Sequence, residues 1–313
     1  MHPLFIDHGG ARRKDCMPGR HFCCSGFLFL SLGMALSACG RSAPDVRSNG
    51  RVAVVASILP LADFARQVGG NRVDVEVLVP AGASPHTYEP TPAQLRAVAH
   101  ARLLVLNGVG LEFWAEKVIS SADNPDLRVL TVSEGMKIIA GDADEPGGNP
   151  HTWLSPVNAM RQVEKIRDGL EQADPAGAAV YRANADAYLS QLRALDAEIR
   201  DAVSRFSSRK FIAFHAAWVY FAADYGLEEV DVIERRPGQE PSPAQVSEIV
   251  EKAKEIKARA IFAEPQFSIR AANTIAEECG VPVLLLNPLG QPPEYHYLDL
   301  IRYNLSQITL ALH

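Results

Sequence analysis

The sequence predicts an α/β protein made of two Rossmann-like lobes, each with a parallel-rich sheet, joined by one long rigid backbone helix. From Arg51 onward, short apolar runs alternate with amphipathic helical patterns, which is typical of parallel sheets covered by helices. Residues 175–206 then space their apolar side chains by threes, fours and one seven, as one face of a helix requires. A helix of that length spans on the order of 45–50 Å, enough to run from one lobe to the other.

The long helix divides the chain. It places an N-terminal lobe at 51–174, the linking helix at 175–206 and a C-terminal lobe at 207–313. Two shorter helices with an unseen break are the alternative, but no Pro or Gly follows Gly177 within the segment. A stiff spine of this kind permits only small movements of the lobes.

The elements follow in order along each lobe. In the N-terminal lobe, strands are predicted at 51–57, 72–80, 102–108 and 127–135, and helices at 61–70, 91–101 and 155–174. In the C-terminal lobe, strands are predicted at 210–215, 227–234, 258–267 and 281–288, with helical patterns between them and a closing helix at 295–312. Two helices carry clear start signals, an N-cap residue followed by proline: Thr91–Pro92 and Ser242–Pro243.

The first residues read as an export signal. A basic start, an apolar run at 22–36 and small residues before Cys39 predict a signal peptide at 1–38, since the run is too short to span a membrane comfortably. A start at Met17 would give this signal an ordinary length. "LSAC" resembles the bacterial lipobox, which implies cleavage before Cys39 and lipid on that cysteine; a plain signal is the alternative. Residues 39–50 are small and polar, as in a flexible tether.

Charge and cysteine content exclude some classes of function. The 313-residue chain has a formal charge of −6 and no long basic run, which argues against a nucleic-acid partner. After signal removal only Cys39 and Cys279 remain, so a lipidated Cys39 leaves neither an internal disulfide nor a thiolate metal site. We expect a monomer.

Three histidines stand where α/β proteins bind ligands. His86 follows one predicted strand, His215 ends another, and His151 closes a Gly-rich acidic loop. Ligand sites form beyond the carboxyl ends of parallel strands, and three neutral imidazoles suit a transition metal such as zinc. Position alone leaves open whether the three share a site. The remaining histidines after Cys39 are predicted to be solvated: His100, His296 and His313.

A series of motifs strengthens the metal hypothesis. In order, the chain carries "PHTYEPTPAQL", "NPHTWLSP", "FHAAWVYFAADYGL", "EPSPAQV", "FAEPQFS" and "NPLG". Together with the long helix they resemble the cluster A-I, zinc- and manganese-type substrate-binding proteins of ABC transporters, over residues 52–312. The resemblance implies that His86, His151 and His215 bind the metal, and that the protein is a binder rather than an enzyme.

The fourth metal ligand is uncertain, because Asn287 stands where the family usually has Asp. Three interpretations are open. Asn287 binds weakly through its amide oxygen, or a water or another carboxylate such as Glu264 or Glu240 takes the position, or the protein supplies three ligands only. Without an anionic ligand the charge of the ion is not neutralised, so we expect weaker binding than in a carboxylate-bearing relative.

The resemblance implies a function in metal uptake. The protein would capture Zn²⁺ between its lobes, on the outer face of the cytoplasmic membrane or in the periplasm, and deliver it to a membrane ABC permease with its ATPase. Manganese is the alternative metal: the short loop before His151 favours it, whereas the motif details and the missing carboxylate favour zinc. An exported zinc hydrolase and a surface adhesin are alternatives of another class, although no HExxH helix supports the hydrolase.

Overall fold

The computed structural model describes residues 47–48, 50–141, 145, 147–236, 238–290 and 295–313, all within one compact unit. The predicted signal peptide and Cys39 lie outside these residues, as does most of the predicted tether. Within the described part of the chain, no helix has both the length and the apolar composition needed to cross a membrane.

The described elements alternate between strands and helices, which confirms the predicted α/β class. The strands are β1 (Arg47–Ser48), β2 (Arg51–Ala56), β3 (Val73–Val77), β4 (Leu103–Leu106), β5 (Arg128–Thr131), β6 (Lys210–Ala213), β7 (Glu228–Val232), β8 (Ile261–Ala263) and β9 (Val283–Leu285). The helices are α1 (Leu59–Gly69), α2 (Pro92–Ala99), α3 (Ala115–Ala122), α4 (Pro156–Ala173), α5 (Ala178–Ser204), α6 (Val219–Tyr225), α7 (Pro243–Glu255), α8 (Arg270–Cys279) and α9 (Tyr297–Leu312). Short 3-10 turns lie at Gly70–Arg72, Thr152–Leu154 and Pro175–Gly177.

The first sheet has a parallel core of four strands. β2 pairs with β3 on one side and with β4 on the other, and β5 pairs with β4, all in parallel. The chain therefore changes direction across the sheet after β3, which opens a crevice at the carboxyl ends of the strands. β1 pairs antiparallel with the start of β2, so Arg47–Ser48, at the end of the predicted tether, belong to this sheet.

The second half of the chain forms two separate parallel pairs. β6 pairs with β7, with an irregular register between Phe211 and Ile212, and β8 pairs with β9. The predicted strands are thus all present, but each is shorter than predicted, because each predicted segment extends past the last paired residue into the following loop. These loops at the carboxyl ends carry the polar side chains of the site.

The spine is a single helix. α5 runs for 27 residues, about 40 Å, and the 3-10 turn at Pro175–Gly177 replaces the first turn of the predicted segment. Its buried face belongs to the same hydrophobic core as residues from both halves of the chain, such as Phe64 before it and Phe211 after it. Its buried side chains are Tyr181, Ala185, Tyr188, Leu189, Leu192, Leu195, Ile199 and Val203.

Helix starts were easier to predict than short helices. Thr91 and Ser242 are N-cap residues followed by proline, as predicted, and each also forms a capping box with the residue three positions on. The sequence analysis did not identify α3, which has only eight residues and no side-chain cap at Trp114. Its burial against the first sheet, through Val118 and Ala122, gives it a stability that no local signal indicates.

Substitution of a buried leucine in α5 tests whether this helix lies at the centre of the core. Leu192 is fully buried, so Leu192→Ala should lower the free energy of unfolding by about 2–5 kcal/mol through lost burial and a residual cavity. The matched control is Leu310→Ala in α9, where the side chain is 69% exposed, and its effect should stay within about 0.5 kcal/mol. Urea unfolding followed by circular dichroism measures both, and similar losses would contradict a spine-centred core.

Candidate metal-binding site

Three imidazoles converge at the carboxyl ends of the strands. His86 lies in the loop between β3 and α2, His151 immediately precedes the Thr152–Leu154 turn, and His215 follows β6. The Nε2 atom of His151 lies 3.0 Å from Nε2 of His86 and 3.0 Å from Nε2 of His215. The fold thus brings together all three histidines that the sequence analysis selected, from both halves of the chain.

Hydrogen bonds assign the tautomer of His151. The Asn149 amide donates through Nδ2 to the carbonyl of Ala216, and its Oδ1 accepts the backbone N–H of His151. Since Oδ1 can only accept, the His151 Nδ1 atom 3.0 Å away carries the proton. The Nε2 atom of His151 therefore presents a bare lone pair.

The same logic applies to His215. Its Nδ1 atom lies 2.8 Å from Oε1 of Glu264, a carboxylate with no exposed surface, so Nδ1 carries a proton and donates it. The Nε2 atom is then left to face His151. Two lone pairs at 3.0 Å repel each other unless a cation or a proton lies between them. A carboxylate that contacts Nδ1, as Glu264 does here, commonly orients a metal-binding imidazole.

The pKa shifts agree with this arrangement. Burial, followed by the charge of His215, lowers the pKa of His86 to about 3. Burial also lowers the pKa of His151 well below its usual value, with His215 and His86 adding to the effect. For His215, burial acts in the same direction but is outweighed by the charge and hydrogen bond of Glu264, so its pKa is raised. Only one imidazole of the cluster readily holds a proton, and the other two favour the neutral form that binds metals.

The histidines line a small cavity with apolar walls. Its volume is about 10 Å³, and the lining includes Trp153, Phe267 and Leu289 beside the three imidazoles. Apolar walls keep water away and strengthen electrostatic interactions at the nitrogen atoms. Among described groups of three or more His, Cys, Asp or Glu side chains, this cluster has the geometry for a metal ion, with donor atoms within 4.8 Å of one another.

The other candidate ligands have different positions. Glu264 lines the cavity but contacts the far nitrogen of His215. Asn287 lies in a neighbouring groove, and its Oδ1 accepts N–H groups within its own turn. Glu240 pairs with Arg270 at the surface, where both side chains are exposed. The solvated histidines His100, His296 and His313 lie outside the cavity lining.

Comparisons with known proteins agree with this geometry. The family model described as "Zinc-uptake complex component A periplasmic" matches residues 54–311. The chain belongs to this family. Its described members are metal-binding or zinc-uptake proteins rather than enzymes.

Individual relatives of the family resemble most of the chain. The zinc-binding lipoprotein AdcA of Streptococcus pneumoniae is 31% identical over 280 residues, which cover 84% of this chain and 56% of AdcA. This chain thus spans about half the length of that relative. The manganese-binding lipoprotein MntA of Halalkalibacterium halodurans is 32% identical and is covered to 98%, with 92% of this chain. A crystal structure of ZnuA matches with a TM-score of 0.76 and 35% identity, covering 83% of this chain and 99% of that one.

A buried polar network that the sequence analysis missed supports the His151 turn in this family member. Glu112 accepts the backbone N–H groups of Asn107 and Gly108 after β4. The Asn107 side chain in turn donates to the carbonyl of Pro150, 2.8 Å away, and accepts the hydroxyl of Thr152, also at 2.8 Å. Both neighbours of His151 are therefore fixed to the end of a strand. Glu112, the acid in "NGVGLEFW", was the one residue of this network that the sequence could have drawn attention to, but its role is seen only from its contacts.

A second support lies behind Trp153. The indole N–H of Trp153 donates to the carbonyl of Pro288, 2.8 Å away. The backbone carbonyl of Trp153 accepts the hydroxyl of Tyr297 at 2.6 Å. The backbone N–H of Tyr297 donates to Asp63 in α1, which also accepts the hydroxyl of Tyr188 in α5. This chain of contacts connects the His151 turn to the spine and to α9.

The hydroxyl of Tyr297 provides a test of this connection. Tyr297→Phe leaves the buried carbonyl of Trp153 without this donor and should lower the free energy of unfolding by about 1–3 kcal/mol. Tyr303→Phe is the matched control on the same helix; that ring is 43% exposed, so little change is expected. Urea unfolding of the metal-free proteins gives both values. Equal stabilities of the Tyr297→Phe variant and the wild type would show that the contact is unimportant.

Proposed function

We propose that this protein is an extracytoplasmic solute-binding protein that captures Zn²⁺ with His86, His151 and His215 and delivers it to an ABC permease with its ATPase. The observation that carries the proposal is the convergence of three Nε2 atoms, while the Nδ1 protons of His151 and His215 are committed to Asn149 and Glu264. An arrangement of this kind is costly unless a proton or a metal ion lies between the facing nitrogen atoms. The ion is cargo, so the site needs to bind it without catalysing a reaction.

Zinc is favoured over manganese by the donor set. Three imidazole nitrogens suit zinc, whereas manganese prefers carboxylate oxygen, and zinc binds more tightly than manganese to nitrogen sites in general. The comparisons include a zinc-binding and a manganese-binding lipoprotein, so they support a divalent transition metal of either kind. The donor chemistry is therefore the ground on which we propose zinc.

We further propose that Cys39 carries lipid and anchors a monomer to the outer face of the membrane. The "LSAC" sequence and the two relatives named as lipoproteins support this anchor. The lobes would comprise residues 51–174 and 207–313, with 175–206 as the link. The cavity then lies between them, where a docked permease could reach it.

Calorimetric titration of the metal-stripped protein with Zn²⁺, and separately with Mn²⁺, tests the function. We expect one Zn²⁺ per chain, tighter binding of Zn²⁺ than of Mn²⁺, and at least a 100-fold loss of zinc affinity in His86→Ala. The matched control is His100→Ala, an exposed histidine at the end of α2, which should bind as the wild type does.

Two outcomes would count against the proposal. Tight Mn²⁺ binding with weak Zn²⁺ binding would reverse the choice of metal, and no binding of either ion would exclude metal capture. To test uptake itself, cells that lack the gene should grow poorly when zinc is chelated, and the wild-type gene but not His86→Ala should restore growth. Restoration of growth by both genes would show that zinc uptake does not need His86.

A further inference from the structure

We propose that Gln266 supplies the oxygen donor that completes the three-histidine site, and that Asn287 acts through Gln266 rather than as a ligand. This inference rests on the proposed function and adds to it the fourth donor. Gln266 lies three residues beyond β8 and lines the same cavity as the three imidazoles. Its amide oxygen would face the ion, either directly or through a bound water.

The orientation of Asn287 is determined by its own turn. Its Oδ1 atom accepts the backbone N–H groups of Leu289 at 3.1 Å and Gly290 at 2.8 Å. The buried Asn304 side chain holds the Asn287 backbone from below, accepting its N–H and donating to its carbonyl, both at 2.8 Å. A backbone N–H can only donate, so the atom that faces these groups must be the oxygen of Asn287.

The orientation of Gln266 follows from that of Asn287. The side-chain nitrogen Nε2 of Gln266 lies 3.1 Å from Oδ1 of Asn287. Because Oδ1 accepts, the Gln266 atom that contacts it must be the NH₂ group, and the carbonyl oxygen Oε1 is on the other branch of the amide. This oxygen is buried and has no hydrogen-bond partner among the described residues.

An unpaired buried carbonyl oxygen costs free energy, on the order of 1–3 kcal/mol in proteins. A divalent cation, or a water held by one, would satisfy it. Glu264 also lines the cavity, and its Oε2 atom is likewise buried without a hydrogen-bond partner among the described residues. It is the weaker candidate for direct binding because its Oε1 atom holds the carboxylate on the far side of the His215 ring. The carboxylate thus orients an imidazole, whereas the Gln266 oxygen remains available at the cavity wall.

The experiment compares variants of the full chain with Zn²⁺ and with Co²⁺, whose visible absorption reports the coordination of the bound ion. Gln266→Leu removes the oxygen and should lower zinc affinity about tenfold and alter the Co²⁺ spectrum. Asn287→Ala removes the acceptor that orients Gln266 and should have the same two effects. In the double variant the second change should add nothing, because both act through one oxygen.

Two further variants serve as controls. Asn287→Asp keeps an acceptor oxygen in the turn, so it should not show the loss of zinc affinity expected for Asn287→Ala, and such a loss would contradict the orienting role of this oxygen. Ser268→Ala, in the same loop but outside the cavity lining, should leave both measurements unchanged. Thermal unfolding of the metal-free variants checks folding, and Gln266→Met, which keeps the length of the side chain, replaces any Leu variant that does not fold.

The inference and the proposed function fail in different ways. If the wild type binds zinc and His86→Ala does not, but Gln266→Leu keeps the wild-type affinity and Co²⁺ spectrum, Gln266 is not a donor. Additive losses in the double variant would show that Asn287 acts independently of Gln266. If His86→Ala binds zinc as tightly as the wild type, the proposed function itself is wrong, and the inference falls with it.

Discussion

The site depends on one constraint: the Nε2 atoms of His151 and His215 face each other at 3.0 Å while both Nδ1 protons point away from the cavity. Neither ring can turn to relieve the repulsion without breaking a buried hydrogen bond, to Asn149 or to Glu264. The apolar walls prevent water from screening the lone pairs. A single proton on His215, whose pKa is raised, relieves part of the cost, and a metal ion bound by all three imidazoles, as proposed, would relieve it fully.

Holding two facing nitrogen atoms at this distance requires a stiff scaffold, and the hydrogen bonds around His151 supply it. The Asn107 side chain holds the carbonyl of Pro150 just before His151, and the Tyr297 hydroxyl holds the carbonyl of Trp153 just after it. Through Asp63 the second contact reaches the spine, whose buried face shares one core with both halves of the chain. Wide hinge opening would disrupt that core, so in the proposed function the release of an ion would come from local movement. His86 is the natural candidate, because it is only partly buried and lies in a loop.

The fold could be predicted from the sequence because its signals are local, whereas the shared site of the three histidines was implied only by the series of family motifs. Apolar runs mark the strands, Thr91 and Ser242 mark helix starts, and parallel strands bring their carboxyl ends to one edge. The polar partners could not be predicted in the same way. Tyr297 and Asp63 are separated by 234 positions, and the orientation of Asn287 depends on Asn304 and a backbone turn. Such contacts exist only after the chain has folded, so no short pattern indicates them.

The amide at position 287 changes the charge of the site more than its shape. Every donor that would touch the ion, three imidazoles and the Gln266 oxygen, is neutral, and the nearest carboxylate, Glu264, acts from behind His215. A divalent cation whose nearest negative charge lies on the far side of an imidazole is bound less tightly than one bound directly by a carboxylate. If the protein delivers its metal as proposed, weaker binding also means faster dissociation, because affinity differences between related complexes lie mostly in the off-rate. The Asn287 substitution is therefore compatible with transport, provided that Gln266 keeps the fourth position filled.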